Sequence, residues 1–323
     1  MMTLSEILNL VKDIFDHETF TGTPKELYEP IEYTMHLGGK RLRPAMLIAA
    51  NQMFGGDTSQ VRSAAIGIET FHNFTLLHDD LMDKSPLRRG MPTVYCKWDQ
   101  NTAILSGDTM LSLATKYILA QNHPNFYKIV SCFNETAIGV YEGQQYDMNF
   151  ETRTDVTIPE YMEMIRLKTA VLLAGALKLG ALYTSANDTD IAHLYSFGTH
   201  FGLAFQLQDD LLDAYGDVKV LGKQTGQDIL DNKKTFLYLK ALENTPQHQK
   251  LFDIFNGKHT LSPDQKIKQV LDIYNEIEIK KTVESHIEAE FKKALDELNA
   301  IDLPQANKQP LVELTQTQFG RKK

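Results

Sequence analysis

Apolar residues recur along most of this chain at spacings of three and four positions. That period places them on one face of an α-helix, so each such stretch predicts a helix with one buried side. The clearest stretches cover residues 61–77, 102–120, 169–183 and 191–212. Strict alternation of apolar and polar residues, which is typical of a half-buried strand, is nearly absent. The pattern therefore predicts an all-α protein.

Short groups of turn-forming residues separate the apolar stretches. Several of them also offer a residue that can cap the next helix, and they lie at 54–57, 122–125, 185–188 and 261–264. Their number implies a bundle of roughly ten or more helices. A length of 323 residues would allow two domains, but no linker rich in Pro, Gly or Ser interrupts the chain. We therefore predict a single domain over residues 1–323.

Composition and charge exclude several classes of partner. The formal net charge is −9, which argues against nucleic acid or an anionic membrane surface. The N-terminal segment carries charges within an apolar period, so it predicts an amphipathic helix and not a signal peptide. The stretch 169–183 contains Lys178 and is too short to span a bilayer, so we expect no stable membrane insertion. Only Cys96 and Cys132 are present, without metal spacing, which is typical of a cytoplasmic protein.

Two acid clusters of the same design occur, DDLMD at 79–83 and DDLLD at 209–213. Residues four apart share a helix face, so Asp79 pairs with Asp83 and Asp209 with Asp213. Because like charges one turn apart destabilise a helix, and because both clusters follow apolar residues, we expect cations to neutralise them. Carboxylates suit Mg²⁺, which also binds substrate phosphates. The spacing does not fit an EF-hand, and a solvated acidic face remains the alternative for either cluster alone.

Basic residues concentrate at two places in this acidic chain. The segment GGKRLRP at 38–44 sets three cations after a Gly pair, and RRG at 88–90 follows the first acid cluster. Gly permits close approach of the backbone, and Arg matches phosphate oxygens with its forked donors. Both segments therefore predict anion binding, although Gly38 as a helix C-cap beside a solvated turn is the alternative for the first.

These motifs, in this order, resemble those of the trans-isoprenyl diphosphate synthases, also called polyprenyl synthetases. The resemblance is carried by GGKRLRP, LLHDDLMDKSPLRRG, LAFQLQDDLLDAYGD and GKQTGQD, with the pair Lys168-Thr169 between the acid clusters. It extends over most of the chain and is weaker toward the C-terminus. It implies the isoprenoid synthase fold, a helical bundle around a central cavity, and a homodimer.

The resemblance also implies the chemistry. Such an enzyme condenses isopentenyl diphosphate with an allylic diphosphate, namely dimethylallyl, geranyl or farnesyl diphosphate. On the order of three Mg²⁺ ions would neutralise the leaving diphosphate, and the expected ligands come from the acid clusters: Asp79, Asp80, Asp83, Asp209, Asp210 and Asp213. Dipoles of Gln206, Thr169 and the Lys168 carbonyl would stabilise the allylic cation.

The family pattern further divides the basic residues between the two diphosphates. It assigns four residues to isopentenyl diphosphate: Lys40, Arg43, His72 and Arg89. It assigns four others to the allylic diphosphate: Arg88, Lys168, Lys223 and Lys233. Arg88 and Arg89 are adjacent and could each contact either anion, and without the resemblance His72 would be an ordinary core histidine. His78 receives no role.

Product length should depend on what closes the tunnel below the first acid cluster. Phe74 lies five residues before Asp79, about 7.5 Å down the helix at 1.5 Å per residue, with Thr75 beside it and Phe71 one turn deeper. An aromatic there, without an insertion in the acid cluster, resembles short-chain synthases. We predict geranylgeranyl diphosphate as the main product and farnesyl diphosphate next, with closure near Met110 as the alternative.

Three other functions remain as alternatives. A long-chain polyprenyl synthase would have the same motifs with a deeper tunnel. A class I terpene cyclase has a similar first acid cluster, but its second metal motif differs and it needs no GGKRLRP segment. A partner subunit without activity usually lacks one or both acid clusters, whereas both are intact here.

Overall fold

The computed structural model describes residues 2–216, 225–257 and 260–319. Within those ranges the chain is predominantly helical, so the all-α prediction is confirmed. The first helices are α1 Leu4–His17, α2 Lys25–His36, α3 Leu42–Met53, α4 Thr58–Met82, α5 Val94–Lys97, α6 Gln100–Ile118, α7 Phe126–Thr152 and α8 Ile158–Ile165. A π-helical turn, Arg166–Ala170, leads from α8 into α9, Val171–Leu182. The remaining helices are α10 Asp188–Tyr215, α11 Gln227–Leu230, α12 Phe236–Asn244, α13 His248–Phe255, α14 Pro263–Glu276, α15 Ile279–Ala300 and α16 Gln305–Phe319.

Local sequence signals explain where several helices begin. Thr3, Thr157 and Ser262 each accept a hydrogen bond from the backbone three residues on, and the Glu or Gln there bonds back to the cap. Such reciprocal bonds satisfy amide groups that a helix start leaves without partners. The N-terminal helix α1 buries Ile7, Val11 and Ile14 on one side, as the amphipathic pattern predicted.

The chain divides into two compact units. The first unit comprises Met1–Asn134, Gly175–Ala192 and Leu303–Leu311, and the second comprises Glu135–Ala174, His193–Asp302 and Val312–Lys323. The single domain over residues 1–323 stays a prediction.

In the first unit, α4 packs along α6 and α3. Gly67 brings α4 close to α6, because a Cβ there would lie 2.8 Å from the Ala114 carbonyl oxygen. In the second unit, α12 packs against α8 and α15, and two pairs of side chains join α10 to α15. His193 and His200 each hold a glutamate of α15 at 2.7 Å, Glu297 and Glu290 respectively.

The periodicity gave no sign of one element, a short hairpin in the first unit. Strands β1, Leu87–Arg88, and β2, Met91–Pro92, pair antiparallel. The turn between them consists of Arg89 and Gly90, with φ of 54° and 77°. Two consecutive positive φ values are typical of the tight turn whose twist suits a hairpin. Strands of two residues are too short to show alternation, so only the Arg-Gly pair pointed to this turn.

Candidate active site

The first acid cluster lies in the last turn of α4, with Asp83 as the C-cap of the helix. The helix ends at Met82, and the Asp83 amide still donates to the Asp79 carbonyl. Asp79 is partly exposed and Asp83 is exposed. A helix C-terminus carries partial negative charge, so two carboxylates one turn apart are unfavourable there. A cation at this end of α4 would relieve both repulsions.

Asp80 lies in a different environment from Asp79 and Asp83. Its carboxylate is buried and forms a two-pronged ion pair with Arg88, with both nitrogen to oxygen distances 2.7 Å. Burial raises the pKa of Asp80 although Arg88 acts in the opposite direction. The Arg88 guanidinium also lies 4.0 Å from Asp79. The pair therefore ties the β1–β2 hairpin to the end of α4.

The hairpin brings together the two basic segments that the sequence singled out. The Arg89 guanidinium donates a hydrogen bond to the Gly38 carbonyl. A Cβ on Gly39 would lie 2.8 Å from an Arg89 nitrogen, and the φ of Gly39 is +136°, a backbone conformation that favours glycine. The φ of Gly38, +83°, also fits the alternative in which this residue ends α2. Gly38 can therefore both end α2 and belong to the proposed anion-binding segment.

The three cations of the first basic segment divide into one structural residue and two candidates for binding. Arg41 pairs with buried Glu69 at 3.1 Å, donates to the Met35 carbonyl and lies over the Phe15 ring. Lys40 is exposed, and Arg43 is half-buried in the first turn of α3.

His72 lies close enough to Arg43 and Arg89 for their charge to affect its pKa. Burial, and then the charges of Arg43 and Arg89, lower the pKa of His72 well below its ordinary value. A neutral imidazole among guanidinium groups can donate a hydrogen bond without adding charge. The first unit thus concentrates positive charge around one uncharged donor, as an anion site requires.

The aromatic residues proposed to set product length lie deeper in the same helix. Phe71 is fully buried and Phe74 is 6% exposed. The Phe71 ring contacts those of Phe74 and Phe133, with centroids 5.6 and 5.4 Å apart. Thr75 donates its hydroxyl to the His72 carbonyl, and Met110 of α6 is fully buried.

His78, to which the sequence gave no role, joins two helices. Its Nε2 lies 3.2 Å from the Ile104 carbonyl, its ring contacts that of Phe74, and the ring fills the space above Gly107 of α6. This contact fixes the face of α4 that carries Phe74.

The second acid cluster lies within α10, and its three carboxylates have different surroundings. Asp209 is exposed, whereas Asp210 and Asp213 are buried. Asp213 accepts a hydrogen bond from the Asp228 amide at 3.0 Å, and its carbonyl accepts one from Gly226. Asp213 therefore anchors the start of α11.

Asp210 accepts hydrogen bonds from two side chains. The Tyr161 hydroxyl donates to one carboxylate oxygen, and the Gln206 amide donates to the other at 2.9 Å. Burial raises the pKa of Asp210 to about 6. Burial, together with the nearby Asp210 charge, raises the pKa of Tyr161 well above its ordinary value. The phenol therefore keeps its proton and acts as a donor.

Lys168 and Thr169 lie in the π-helical turn. Lys168 pairs with Asp147 at 2.5 Å, and the Thr169 hydroxyl donates to the Gln206 side-chain oxygen at 2.8 Å. Glycines back the turn on two sides. A Cβ on Gly143 would overlap the Lys168 backbone, and one on Gly202 would lie 2.5 Å from the Ala170 Cα. Single π turns are frequent at functional sites, and this one is tightly enclosed.

A cavity of about 180 Å³ opens beside this turn in the second unit. Apolar side chains form one part of its wall, and the polar residues of the lining are Asp147, Tyr161, Lys168, Thr169, Gln206, Asp210, Asp228, Lys233, Lys234 and Thr235. Lys234 donates to the Glu151 carbonyl at 3.2 Å, and burial lowers the pKa of its amine. The structure thus brings Lys168, Thr169, Gln206, Asp210 and Lys233 into one lining. Lys223, proposed for the allylic diphosphate, lies outside the described residues.

Sequence reasoning missed Tyr161, Asp147 and Asp228. Asp228 closes the GKQTGQD motif and could have been selected from it. Tyr161 lies two helical turns before Lys168, so helix periodicity offered a weak signal. Asp147 lies on a different helix from its partner Lys168, so no local pattern relates the two.

The model of the polyprenyl synthetase family matches residues 24–274 of this chain. The chain belongs to the polyprenyl synthetase family. It is similar to the geranylgeranyl diphosphate synthase of Methanosarcina mazei, with 40% identity over 279 residues, 85% of each chain. The geranylfarnesyl diphosphate synthase of Natronomonas pharaonis is 38% identical over 257 residues, 74% of this chain and 75% of that one.

A solved relative of this polyprenyl synthetase shows the fold. The geranylgeranyl pyrophosphate synthetase of Pyrococcus horikoshii is 31% identical, with a TM-score of 0.91, over 99% of this chain and 98% of that one. The fold that the resemblance implied is therefore confirmed. No helix in the described ranges combines the length and apolar character needed to cross a bilayer.

Polyprenyl synthetases imply a bound Mg²⁺, and the donor chemistry of this chain fits that ion. Among residues 2–216, 225–257 and 260–319, no three His, Cys, Asp or Glu side chains form a group that could hold a metal. Mg²⁺ usually takes only one or two protein carboxylates and completes its shell with water and substrate phosphate. Asp79 with Asp83, and exposed Asp209, supply such partial sets of oxygen ligands.

Proposed function

We propose that this protein is a prenyltransferase that condenses isopentenyl diphosphate with dimethylallyl, geranyl or farnesyl diphosphate. The product is a trans-prenyl diphosphate of short chain. Membership of the polyprenyl synthetase family and relatives named geranylgeranyl and geranylfarnesyl diphosphate synthase support this activity. The observation that carries it is the end of α4. There, two repelling carboxylates adjoin a hairpin that gathers Arg88 and Arg89 beside the Gly38–Gly39 turn.

Asp79, Asp83 and Asp209 are the proposed protein ligands of Mg²⁺, on the order of three ions per site. When bound, Mg²⁺ neutralises the charge on the departing diphosphate. Asp80, Asp210 and Asp213 share the motif but are engaged with Arg88, with Tyr161 and Gln206, and with the Asp228 amide. We assign them to holding the other groups in place.

The two diphosphates are assigned to different sets of cations. Isopentenyl diphosphate takes Lys40, Arg43, His72 and Arg89, because Arg43 and Arg89 lie near enough to His72 to act on it and Lys40 belongs to the same GGKRLRP segment as Arg43. The allylic diphosphate takes Lys168, Lys233 and, from the family resemblance, Lys223 and Arg88. Since Arg88 forms an ion pair with Asp80, its share in anion binding requires that only part of its guanidinium face the substrate.

The reaction breaks the bond between the allylic carbon and the diphosphate oxygen, and the diphosphate leaves with the electron pair. The double bond of isopentenyl diphosphate forms the new carbon–carbon bond with that carbon, and the released diphosphate accepts the proton lost. Gln206 and Thr169 line the cavity, and their oxygens supply negative dipole ends toward the allylic cation. Phe150, Met164 and Ile165 of its wall exclude water.

Geranylgeranyl diphosphate is the proposed main product and farnesyl diphosphate the next. Buried Phe74 is the proposed floor on α4; its ring packs on that of Phe71, which in turn contacts Phe133. A long-chain product is the alternative and would require the chain to pass this aromatic group.

The proposed assembly is a homodimer. Exposed apolar side chains lie along α6, at Ile104 and Leu105, and along α7, at Ile138 and Tyr141. Exposed apolar groups often mark an interface, and two-fold symmetry is the commonest closed arrangement. Light scattering at micromolar concentration tests this: a mass of about twice 36.7 kDa supports the dimer, and a monomer contradicts it.

An assay of the purified protein alone separates the candidate functions. The protein receives isopentenyl diphosphate, dimethylallyl diphosphate and Mg²⁺, and the products are identified by mass after removal of phosphate. Linear prenyl alcohols support the synthase. A cyclic hydrocarbon from farnesyl diphosphate alone would instead indicate a terpene cyclase, and no product a partner subunit.

A further inference from the structure

Four side chains of the second unit form a continuous line of hydrogen bonds, which we call the relay: Thr169, Gln206, Asp210 and Tyr161. The Thr169 hydroxyl donates to the Gln206 oxygen at 2.8 Å. The Gln206 amide nitrogen donates to one Asp210 oxygen at 2.9 Å, and the Tyr161 hydroxyl donates to the other. All four residues line the cavity. Thr169 and Gln206 supply the dipoles that the proposed reaction uses, and Tyr161 is the last member of the relay.

The relay determines which way the Gln206 amide points. An ionised carboxylate can only accept hydrogen bonds, so Asp210 selects the nitrogen end of the amide. The oxygen end must then lie toward Thr169 and the cavity. If the Gln206 amide were reversed, its oxygen would face the buried Asp210 carboxylate, and no hydrogen bond could form between them. Leaving a buried carboxylate without this hydrogen bond costs free energy.

The Tyr161 hydroxyl holds the Asp210 carboxylate in place, and that carboxylate in turn orients the Gln206 amide. Tyr161 is 2% exposed and lies in the first turn of α8, which begins after the Thr157 capping box. Its ring packs beside Phe236 of α12, with centroids 6.5 Å apart. A hydroxyl held in this way permits one rotamer of Asp210. With both of its oxygens accepting hydrogen bonds, Asp210 is placed to orient Gln206.

We propose that Tyr161 is a positioning residue of the prenyl transfer site. Through Asp210 it holds the Gln206 oxygen toward the allylic carbons, where positive charge develops. The proposal rests on the proposed function. It separates the second acid cluster into a metal ligand, Asp209, and an anchor, Asp210.

The first test replaces Tyr161 by Phe, which removes one hydroxyl and leaves the ring. Loss of one hydrogen bond to a charged group should lower kcat about tenfold or more. The Michaelis constants for both substrates, and the Mg²⁺ concentration that gives half-maximal activity, should change by less than about twofold, because no ligand contact is lost. Calorimetric binding of an unreactive allylic thiolodiphosphate should be equally unaffected.

Tyr238→Phe is the matched control, because Tyr238 is equally buried in the second unit, stacks on Phe255 and does not line the cavity. It should keep the wild-type kcat. If Tyr161→Phe instead raises the Mg²⁺ requirement, or if it retains wild-type kcat, the proposal is wrong.

The second test is a double-mutant cycle with Gln206→Leu. If Tyr161 acts only through the Gln206 amide, then Tyr161→Phe should cost less than about twofold further in the Gln206→Leu background. A merely structural tyrosine would give additive losses, and additivity overturns the proposal. The wild-type rate in the same assay tests the proposed function separately, because the relay is judged only from ratios of variant to wild type.

Discussion

Two carboxylates one turn apart at the C-terminus of α4 are unfavourable unless something positive joins them. Like charges at this spacing cost a few tenths of a kcal/mol, and the helix dipole adds roughly 0.3–1 kcal/mol. Asp79 and Asp83 are retained there nonetheless, beside an Asp80 that already occupies Arg88. At the scale of residues, the chain keeps a pair of carboxylates that destabilises the end of α4, which indicates that the pair serves the function of the site.

Asp79→Ala and Asp209→Ala should each remove nearly all turnover, because each deletes a proposed Mg²⁺ ligand. Both variants should stay folded, and Asp79→Ala should unfold at the same or a slightly higher temperature than wild type without metal. Steady-state kinetics and circular dichroism measure the two effects. Asp108→Ala, an exposed acid of α6, is the control and should change neither. Full Mg²⁺-dependent activity in both cluster variants would contradict the assignment of Asp79 and Asp209 as Mg²⁺ ligands.

The two sets of cations predict opposite selectivity. Arg43→Ala should raise the Michaelis constant for isopentenyl diphosphate about ten- to hundredfold, because a charged donor to phosphate contributes roughly 1.5–3 kcal/mol. Lys223→Ala should do the same for the allylic substrate. Initial rates with each substrate varied in turn measure both constants. Equal weakening of both substrates by both variants would show that the division is incorrect.

Sequence alone could identify these residues but could not separate their roles. DDLMD and DDLLD present three acids each in equivalent positions, and nothing in the letters distinguishes Asp209 from Asp210. The difference comes from burial and from Tyr161, which lies on another helix. For the same reason, Arg41 looked like a third binding cation until its pairing with buried Glu69 was visible.

At the scale of elements, the hydrophobic period predicted the long helices with ends displaced by a few residues. The stretch 191–212 became Asp188–Tyr215, and 102–120 became Gln100–Ile118. The π-helical turn could not be predicted, because inserting one residue in a helix changes the apolar period too little to detect. Its geometry depends on glycines of two other helices, Gly143 and Gly202.

Gly143 gives this turn a direct test. Alanine there would overlap the Lys168 backbone, so Gly143→Ala should destabilise the protein by about 1–3 kcal/mol and reduce kcat as Lys168 and Thr169 shift. Gly139→Ala, one turn earlier in α7, is the control. Its Cβ would lie at an ordinary 3.4 Å from Val171, and the change should be neutral or stabilising by up to about 1 kcal/mol. Urea unfolding and kinetics give both values. Equal behaviour of the two variants would contradict the role of Gly143.

At the scale of the whole molecule, the chain length of the product reports where the hydrocarbon tunnel ends. Phe74→Ala removes the proposed floor, so the variant should make chains longer than wild type, while total turnover with short primers stays within about threefold. The cavity left should also cost about 3–5 kcal/mol of stability, the usual range for a buried phenylalanine. Product distribution by mass spectrometry decides. An unchanged distribution would place the end of the tunnel elsewhere, with Met110 as the next candidate.

The measurement that tests the account most directly is a condensation assay with omission of each component. Purified wild-type protein receives geranyl diphosphate, labelled isopentenyl diphosphate and Mg²⁺, and each is left out in turn. The account predicts labelled farnesyl and geranylgeranyl diphosphate only when all three are present, with geranylgeranyl diphosphate dominant. Labelled product in the absence of Mg²⁺, or no labelled product from the complete mixture, would contradict the central claim.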